Sequence, residues 1–510
     1  MNRMNSRRLI FLAGLFSILF FLLEAKLFYL QIVKGQELAV QAIQYRTELF
    51  PYEDYPRGDI VDRWGRSLTD RGERPVVVVF PGMIEDREKT AEKLEEILAI
   101  PSAFLMRRMS EIEREKSAQP FVLKVNVDSQ MVRELQNYPI PGVYLLPMIT
   151  RYGPRSVAVH VIGYVGSQKQ KKQTEGSEDV GIETIYEDVL NRGSHRYYWR
   201  ALVDARGRLI PGLGFKKIAS SEDHVPRNRV VLTIDREIQE IVERAIDSWV
   251  KKGAVVVLDV ASGDVLAMAS RPAFHQNWLD NGCQPEPGSF VNRALEPYHP
   301  GAILKLVVAA RALEEQVNGW QLIGYPQTKP FRAGAKVAIK GSLGQEEFLL
   351  SPLQAANLLR TVARGGLYSP PRLVLEIQNG SGEVTKFFAL PPSQRVMSSG
   401  TADQLQLILK PVFLSQSKFQ DRQGNYYAAG VSGRNTYITV PSEAANGTVL
   451  PQTVIPDWFV GYAPLENPRY AVAVLVEEEK FDGYMAEQLF RYILKEILEK
   501  ESVRAEAGNP

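Results

Sequence analysis

The sequence predicts a membrane-anchored protein with two α+β domains, the first of them rich in strands, and three features lead to that prediction. The N-terminus is a basic flank followed by an apolar run. A polar, proline-containing segment at 220–228 has the composition of a linker between domains. In the C-terminal part, helical patterns lie on both sides of a series of strand patterns, which indicates an antiparallel sheet covered by helices. A chain of 510 residues is also too long for one compact domain.

A transmembrane helix is predicted over residues 9–33. Basic residues within 3–8 precede the uncharged run 9–23, and apolar character resumes beyond Glu24 and Lys26. A span needs about 20 apolar residues, and the two charged side chains can reach the membrane interface. The basic flank places the N-terminus in the cytoplasm and the body of the chain outside. A cleaved signal peptide is the alternative, but no small-residue cleavage site follows the run.

The first domain shows patterns of both element types. The segment RGDIVDRWGRSL at 57–68 has apolar positions on both sides of a turn at 63–65, which predicts two short strands. The other predicted elements are a buried strand at 75–80, helices at 87–100 and 102–117, strands at 121–126 and 143–147, and an exposed loop at 167–180.

The second domain has clearer signals. Its first helix, at 236–251, has an apolar face at helical spacing, made by Ile238, Ile241, Val242, Ala245, Ile246 and Trp249. A later helix, at 351–366, begins with Ser351 as N-cap and Pro352 in the first turn. The other predicted elements are strands at 230–232, 253–260, 265–270, 457–464 and 469–478 and a closing helix at 485–501.

The composition argues against several functional classes. The 61 basic and 59 acidic residues give a net charge of +2, so a nucleic-acid partner is not predicted. Cys283 is the only cysteine, and the five histidines have no metal-ligand spacing, so neither a disulfide nor a metal site is predicted. No phosphate-binding glycine motif occurs, and no cofactor is expected.

The sequence contains, in this order, the segments RGDIVDRWGRSL (57–68), RYGPRSVAVHVIGYVG (151–166), VVVLDVASGDVLAMASRPAF (255–274), NRALEPYHPGAILK (292–305) and DWFVGYAPLENPRYAVAVLVE (457–477). Together with further segments between them, they resemble class B penicillin-binding proteins, the single-pass cell-wall transpeptidases. The resemblance implies five parts: a cytoplasmic stub (1–8), an anchor (9–33), a pedestal or dimerisation-like domain (34–222), a transpeptidase-like domain (223–500) and a tail (501–510). Members of this family cross-link peptidoglycan stem peptides through a serine acyl-enzyme.

The family's nucleophile is absent from this chain. Its members have Pro-Gly-Ser-x-x-Lys at a helix start, where the lysine one turn later takes the serine proton. Here Ala302 stands at the serine position, and Lys305 remains. A methyl group cannot attack a carbonyl, so Lys305 is interpreted as a solvated or paired helix residue.

In this family the serine–lysine motif forms one wall of the active-site cleft, and two other segments form the remaining walls. Both of those segments are also incomplete in this chain. No Ser-x-Asn sequence occurs within 306–343, an interval so short that the small helical lobe carrying this loop is predicted to be deleted. The Lys-Thr-Gly strand is replaced by Val431, Ser432 and Gly433. The cation is lost there, and a strand end with a turn is favoured over a working anion site.

Ser289 is a low-probability alternative nucleophile, because it also follows a Pro-Gly pair. The residue three positions later is Asn292, where the family's motif has a lysine. The general base is therefore missing, and the segment is interpreted as a turn.

The sequence therefore predicts an inactive penicillin-binding-protein homologue that acts as a membrane-anchored scaffold or regulator in cell-wall synthesis. Its expected partners are the membrane and a membrane protein of the synthesis machinery. One alternative is an active D,D-transpeptidase that uses a displaced serine, Ser289 or Ser432. Another is a receptor that binds stem peptide weakly and without a covalent bond.

Overall fold

The computed structural model describes most of the chain, and the following statements concern these residues. They are 2–29, 34, 47–52, 57–84, 86–114, 120–165, 181–191, 197–202, 215–219, 227–277, 286–314, 348–409, 428–434, 438–443, 449–478 and 484–506. The predicted loop at 167–180, the linker up to residue 226 and the interval 315–343 lie outside them.

Twelve α-helices and eighteen strands are formed by these residues. The helices are α1 (Asn2–Phe28), α2 (Arg87–Leu98), α3 (Ser102–Arg114), α4 (Ser129–Asn137), α5 (Val159–Ile162), α6 (Ile182–Ile185), α7 (Glu187–Leu190), α8 (Arg236–Trp249), α9 (Leu304–Glu314), α10 (Pro352–Ala363), α11 (Ser399–Leu409) and α12 (Met485–Glu506). The strands are β1 (Thr47–Tyr52), β2 (Asp59–Val61), β3 (Gly72–Val79), β4 (Phe121–Lys124), β5 (Val143–Thr150), β6 (Tyr197–Leu202), β7 (Phe215–Ala219), β8 (Arg229–Leu232), β9 (Gly253–Asp259), β10 (Val265–Arg271), β11 (Leu367–Tyr368), β12 (Val374–Gln378), β13 (Val384–Phe387), β14 (Gln394–Arg395), β15 (Ala429–Arg434), β16 (Ile438–Glu443), β17 (Val449–Ala463) and β18 (Tyr470–Glu478).

The predicted apolar helix at the N-terminus is present as α1. Its segment Phe11–Phe28 has a mean hydropathy of 2.0, and none of that segment is buried against the rest of the chain. A helix of this length and composition is able to cross a bilayer. The side of the membrane on which each end lies remains a prediction.

The strand β3 organises the first domain. It lies at the centre of a three-stranded antiparallel sheet in the order β4-β3-β5. Its run of valines is buried on both faces: Val77 and Val79 pack under α2, α3 and α4, while Val76 and Val78 pack with Phe80 on the opposite face. A continuous apolar run is expected for a strand that is covered on both sides. A second sheet of this domain has the order β1-β6-β7.

The second domain is built on an antiparallel sheet with the strand order β10-β9-β18-β17-β15. Helix α10 covers one face, where Val256 and Leu475 are fully buried, and α9 contributes to the same apolar cluster. Helices α8 and α12 cover the other face, where Val257 and Val474 are fully buried. The predicted antiparallel sheet covered by helices is therefore confirmed.

Two predictions about local elements in this domain were wrong in detail. Strand β17 begins at Val449 and not at residue 457, because its first part pairs with β16 before its second part pairs with β15. Trp249 was expected on the buried face of α8 but is 36% exposed, and its ring packs instead on Tyr492 of α12 at a centroid distance of 5.7 Å.

The predicted turn in the first domain joins the two domains. Strand β2 pairs in parallel with β8, so a sheet in the order β13-β12-β8-β2 is shared between them. The turn after β2 is bonded to the second domain. The Trp64 indole donates a hydrogen bond to Asp235 Oδ2 at 2.9 Å, and Asp235 is the N-cap of α8. Arg66 donates to both Asp62 and Asp235. The second predicted short strand is only a single bridge between Val61 and Ser67.

Helix α5 makes another contact between the domains. The Nε2 atom of His160 is 2.7 Å from the Ser289 carbonyl oxygen, and its ring packs edge-on against Phe274. Burial lowers the pKa of His160 from 6.5 to about 4, although the hydrogen bond with the Ser289 carbonyl acts in the opposite direction. The imidazole is therefore neutral at pH 7.

Acid should weaken the fold through His160. Between pH 6.5 and 4 the unfolded chain takes up a proton on this residue that the folded chain does not, so the free energy of unfolding falls as the pH falls. The contribution of this residue is on the order of 3 kcal/mol across that window. We expect His160→Gln, which does not titrate, to remove this component in urea unfolding of the full chain in detergent. Equal pH slopes for the two proteins would contradict the prediction.

Candidate functional site

The first wall of the candidate site is a tight turn at the start of α9. Residues Gly301–Ile303 form a 3-10 turn that continues into the helix. Gly301 has φ +55°, a left-handed conformation that favours glycine. Ala302 lies half-buried in this turn, and Lys305, one helical turn later, is exposed. The turn therefore presents a methyl group, and the lysine that follows one helical turn later is open to solvent.

The other wall is the edge strand β15. Its residues pair with β17 in the register Val431–Val460, Ser432–Phe459 and Gly433–Trp458. A Cβ atom at Gly433 would lie 2.4 Å from the Pro300 carbonyl oxygen and 2.9 Å from Ile303 Cδ1. Only a glycine permits this approach of the strand to the turn that contains Ala302. The structure thus brings two of the predicted walls together.

The side chains on β15 are largely apolar where the resemblance implies a cation. Val431 packs against the core cluster that contains Ile303 and Val460. Ser432 is half-buried and alternates to the other face of the strand, opposite Phe459. The alternation of strand side chains therefore separates the Ser432 hydroxyl from Val431, which stands where the resemblance implies a lysine.

Helix α9 exposes one of its apolar residues. Val308 is 43% exposed, whereas its neighbours Leu304 and Leu306 are buried. It lies three residues after Lys305, so both project from the same exposed side of the helix. Leu304, Leu306 and Ala310 form the buried side instead.

A polar cluster that the sequence did not predict holds the segment before the turn. Glu477 of β18 accepts hydrogen bonds from Tyr298 Oη at 2.6 Å and from Arg293 Nε at 2.8 Å. Burial, and then the charge of Glu477, raises the pKa of Tyr298 above its usual value, so the phenol remains a donor. Tyr298 also pairs with Leu350 through two backbone hydrogen bonds. Glu477 is about 180 residues away from both Arg293 and Tyr298 in the chain, so no short sequence pattern could predict this cluster.

Ser289 lies in a turn at 286–290. It is 0% exposed, and within the described residues its Oγ has no hydrogen-bond partner. Gly288, with φ +75°, forms the bend before it. Asn292, at the position of a possible base, donates to Met268 Sδ at 3.7 Å.

Among the described residues, no group of three or more His, Cys, Asp or Glu side chains is placed to hold a metal ion. The interval searched for a Ser-x-Asn loop lies mostly outside those residues, beyond the last helical residue, Glu314. That wall remains a prediction from the sequence.

Family models match most of the chain. A model described as the penicillin-binding protein dimerisation domain matches residues 52–216, and one described as the penicillin-binding protein transpeptidase domain matches 253–332 and 322–495.

Three curated proteins illustrate the similarity. Stage V sporulation protein D from Bacillus subtilis is 28% identical over 61% of this chain and 46% of its own length. Peptidoglycan D,D-transpeptidase MrdA from Acinetobacter baumannii is 27% identical over 62% of this chain and 49% of its own length. MrdA from Haemophilus influenzae is 21% identical over 96% of this chain and 91% of its own length. The chain thus spans about half the length of the first two relatives.

The two matched models follow each other in the order dimerisation domain, then transpeptidase domain, behind an apolar N-terminal helix. The chain therefore belongs to the class B penicillin-binding protein family and is a homologue of the peptidoglycan transpeptidases.

Proposed function

We propose that this chain is a non-catalytic member of its family, which acts as a membrane-anchored scaffold or regulator in peptidoglycan synthesis. The observation that carries the proposal is Ala302 at the position of the family's nucleophile. An alanine side chain has no oxygen with which to form an acyl-enzyme. Removal of the nucleophile from a serine hydrolase lowers turnover on the order of a millionfold.

The surroundings of Ala302 support the same proposal. Val431 stands where a cation would bind a substrate carboxylate, and it packs into the apolar core. Lys305 is exposed to solvent, whereas a lysine that acts as a base in catalysis is desolvated. A substrate would therefore find neither a nucleophile nor a cationic anchor on β15.

The alternative is an active D,D-transpeptidase with a displaced serine, and the names of the MrdA relatives are the reason to consider it. Ser289 is completely buried, so a polymeric stem peptide has no access to its hydroxyl. Ser432 is half-buried on β15 and is paired opposite Phe459. The burial of Ser289 and the position of Ser432 thus argue against either residue as the nucleophile.

The proposed setting is the outer face of the bacterial cell membrane. Helix α1 has the character of the single-pass anchor typical of class B members. The basic residues before it favour a cytoplasmic N-terminus, with a pedestal (34–222) and a transpeptidase-like domain (223–500) outside. We propose a membrane protein of the cell-wall synthesis machinery as partner.

A fluorescent penicillin should not label this chain. We expect no labelled band at its position on a denaturing gel of membranes that produce it, because no serine is placed for acylation. An active penicillin-binding protein in the same membranes is the positive control. A band that disappears in Ser289→Ala or Ser432→Ala would instead establish a displaced nucleophile.

Restoring the hydroxyl alone should not restore the reaction. We expect Ala302→Ser to remain unlabelled by penicillin, because the cation on β15 is still missing and Val431 fills its place. Ala302→Gly, which adds no oxygen, is the matched control in the same gel. Strong acylation of the serine variant would show that the cleft is more complete than we propose.

The partner should depend on the N-terminal half. We expect tagged full-length chain to co-purify a membrane protein of cell-wall synthesis from detergent extracts. Replacement of residues 1–222 by an unrelated single-span anchor should remove that protein from the eluate. Undiminished co-purification with the replaced variant would count against a partner that binds through the anchor and pedestal.

A further inference from the structure

The outer side of the helix pair α8 and α12 carries two aromatic rings that lie outside the core. The rings of Trp249 and Tyr492 pack on each other at a centroid distance of 5.7 Å, and their planes are tilted by 36°. The two residues are 36% and 38% exposed, and neither is a member of the apolar cluster that these helices form over the sheet. We call this pair the aromatic platform.

The platform combines apolar ring surface with free polar atoms. The indole N–H of Trp249 and the hydroxyl of Tyr492 make no side-chain hydrogen bond to another described residue. A sugar ring has the matching character, because C–H bonds cover its faces and hydroxyl groups lie along its edge. The negative face of an aromatic ring attracts such C–H groups, while the indole N–H and the phenol can bond to hydroxyl or amide groups.

Cationic and amide side chains border the platform. Lys251 and Lys252 follow the end of α8, and neither forms an ion pair with another described residue. Gln488 and Lys495 lie one helical turn to either side of the platform tyrosine, on the same side of α12, and both are exposed. The Lys495 ammonium is 3.8 Å from Glu499, which is a loose surface pair. This rim favours a ligand that carries carboxylates in addition to sugar rings.

A lipid surface fits the platform less well. Among the described residues of α8 and α12, the exposed large apolar side chains are Trp249, Tyr492 and Val503. Val503 lies about 16 Å further along α12 than Tyr492. A helix that lies in a bilayer interface needs a continuous apolar face, and two neighbouring rings do not provide one.

We propose that the aromatic platform and its lysines bind the glycan strand of peptidoglycan, whose N-acetylated sugars alternately carry a carboxylate or an acidic peptide. A sugar ring stacks on the platform, and the lysines attract the negative charge. Helices α8 and α12 lie on the face of the sheet opposite α10, so this site is separate from the turn that contains Ala302. The inference rests on the proposed setting of this domain outside the membrane, and not on the absence of catalysis.

Titration calorimetry of the full-length chain in detergent tests the inference. The probe is a soluble glycan strand of alternating N-acetylglucosamine and N-acetylmuramic acid, freed of stem peptides. We expect the wild-type chain to bind it, and we expect Trp249→Ala to weaken binding about tenfold, as is typical of the loss of one aromatic stacking partner. Tyr492→Leu should have a similar effect, whereas Tyr492→Phe keeps the ring and should retain most of the affinity.

Tyr138→Ala is the matched control, because it removes an aromatic ring of the first domain that is 67% exposed. It should leave the affinity for the strand unchanged. A chito-oligosaccharide of the same length, which has no carboxylate, should bind about threefold more weakly than the strand at low salt. That difference should disappear at high salt, because exposed charges are then screened.

The inference would be overturned if the wild-type chain did not bind the strand at millimolar concentration, or if Trp249→Ala bound it equally well. Should Trp249→Ala not fold, Tyr492→Leu provides the same test, because it keeps apolar bulk beside the indole. Loss of strand binding in nanodiscs of phosphatidylglycerol and phosphatidylethanolamine would assign the platform to the lipid surface instead. Penicillin labelling tests the proposed function alone, so the two proposals can fail separately.

Discussion

The burial of the central sheet on both faces is the constraint on which the rest of this structure depends. Strands β9 and β18 are covered by helices on each side, and their valines and alanines have almost no exposed surface. Full burial of one valine contributes about 1.5–3 kcal/mol. Because both faces are occupied, a ligand can approach only at an edge. The edge strand β15 lies against the turn at Pro300–Ile303, and this contact fixes where a cleft can be.

The same constraint explains how the fold would persist in the non-catalytic chain that we propose. Ala302 is a good helix former at the start of a helix, and Val431 fills apolar space beside Ile303. Neither residue places a charge in the apolar core. Gly433 is retained because the close approach to the Pro300 carbonyl requires it. Gly433, which positions β15 against the turn, is thus a different residue from those at the reactive positions, Ala302 and Val431.

Local patterns predicted the elements that depend on local physics. The hairpin β9–β10 and the capping box of α10 at Ser351 follow from turn and N-cap residues. The pairing of Gly433 with the turn at Ala302 was reached only through the resemblance, because periodicity carries no information on which strand lies beside which helix. The start of β17 was misplaced for the same reason, since its partner β16 decides where it begins. The Tyr298–Glu477 bond and the His160 contact were not predicted at all.

A crystal of the protein soaked in a β-lactam tests the central claim most directly. The account predicts Ala302 in the 3-10 turn beside Gly433, with intact drug or no drug in the cleft and no covalent bond to any side chain. Continuous electron density between an opened β-lactam and the oxygen of any serine would contradict it.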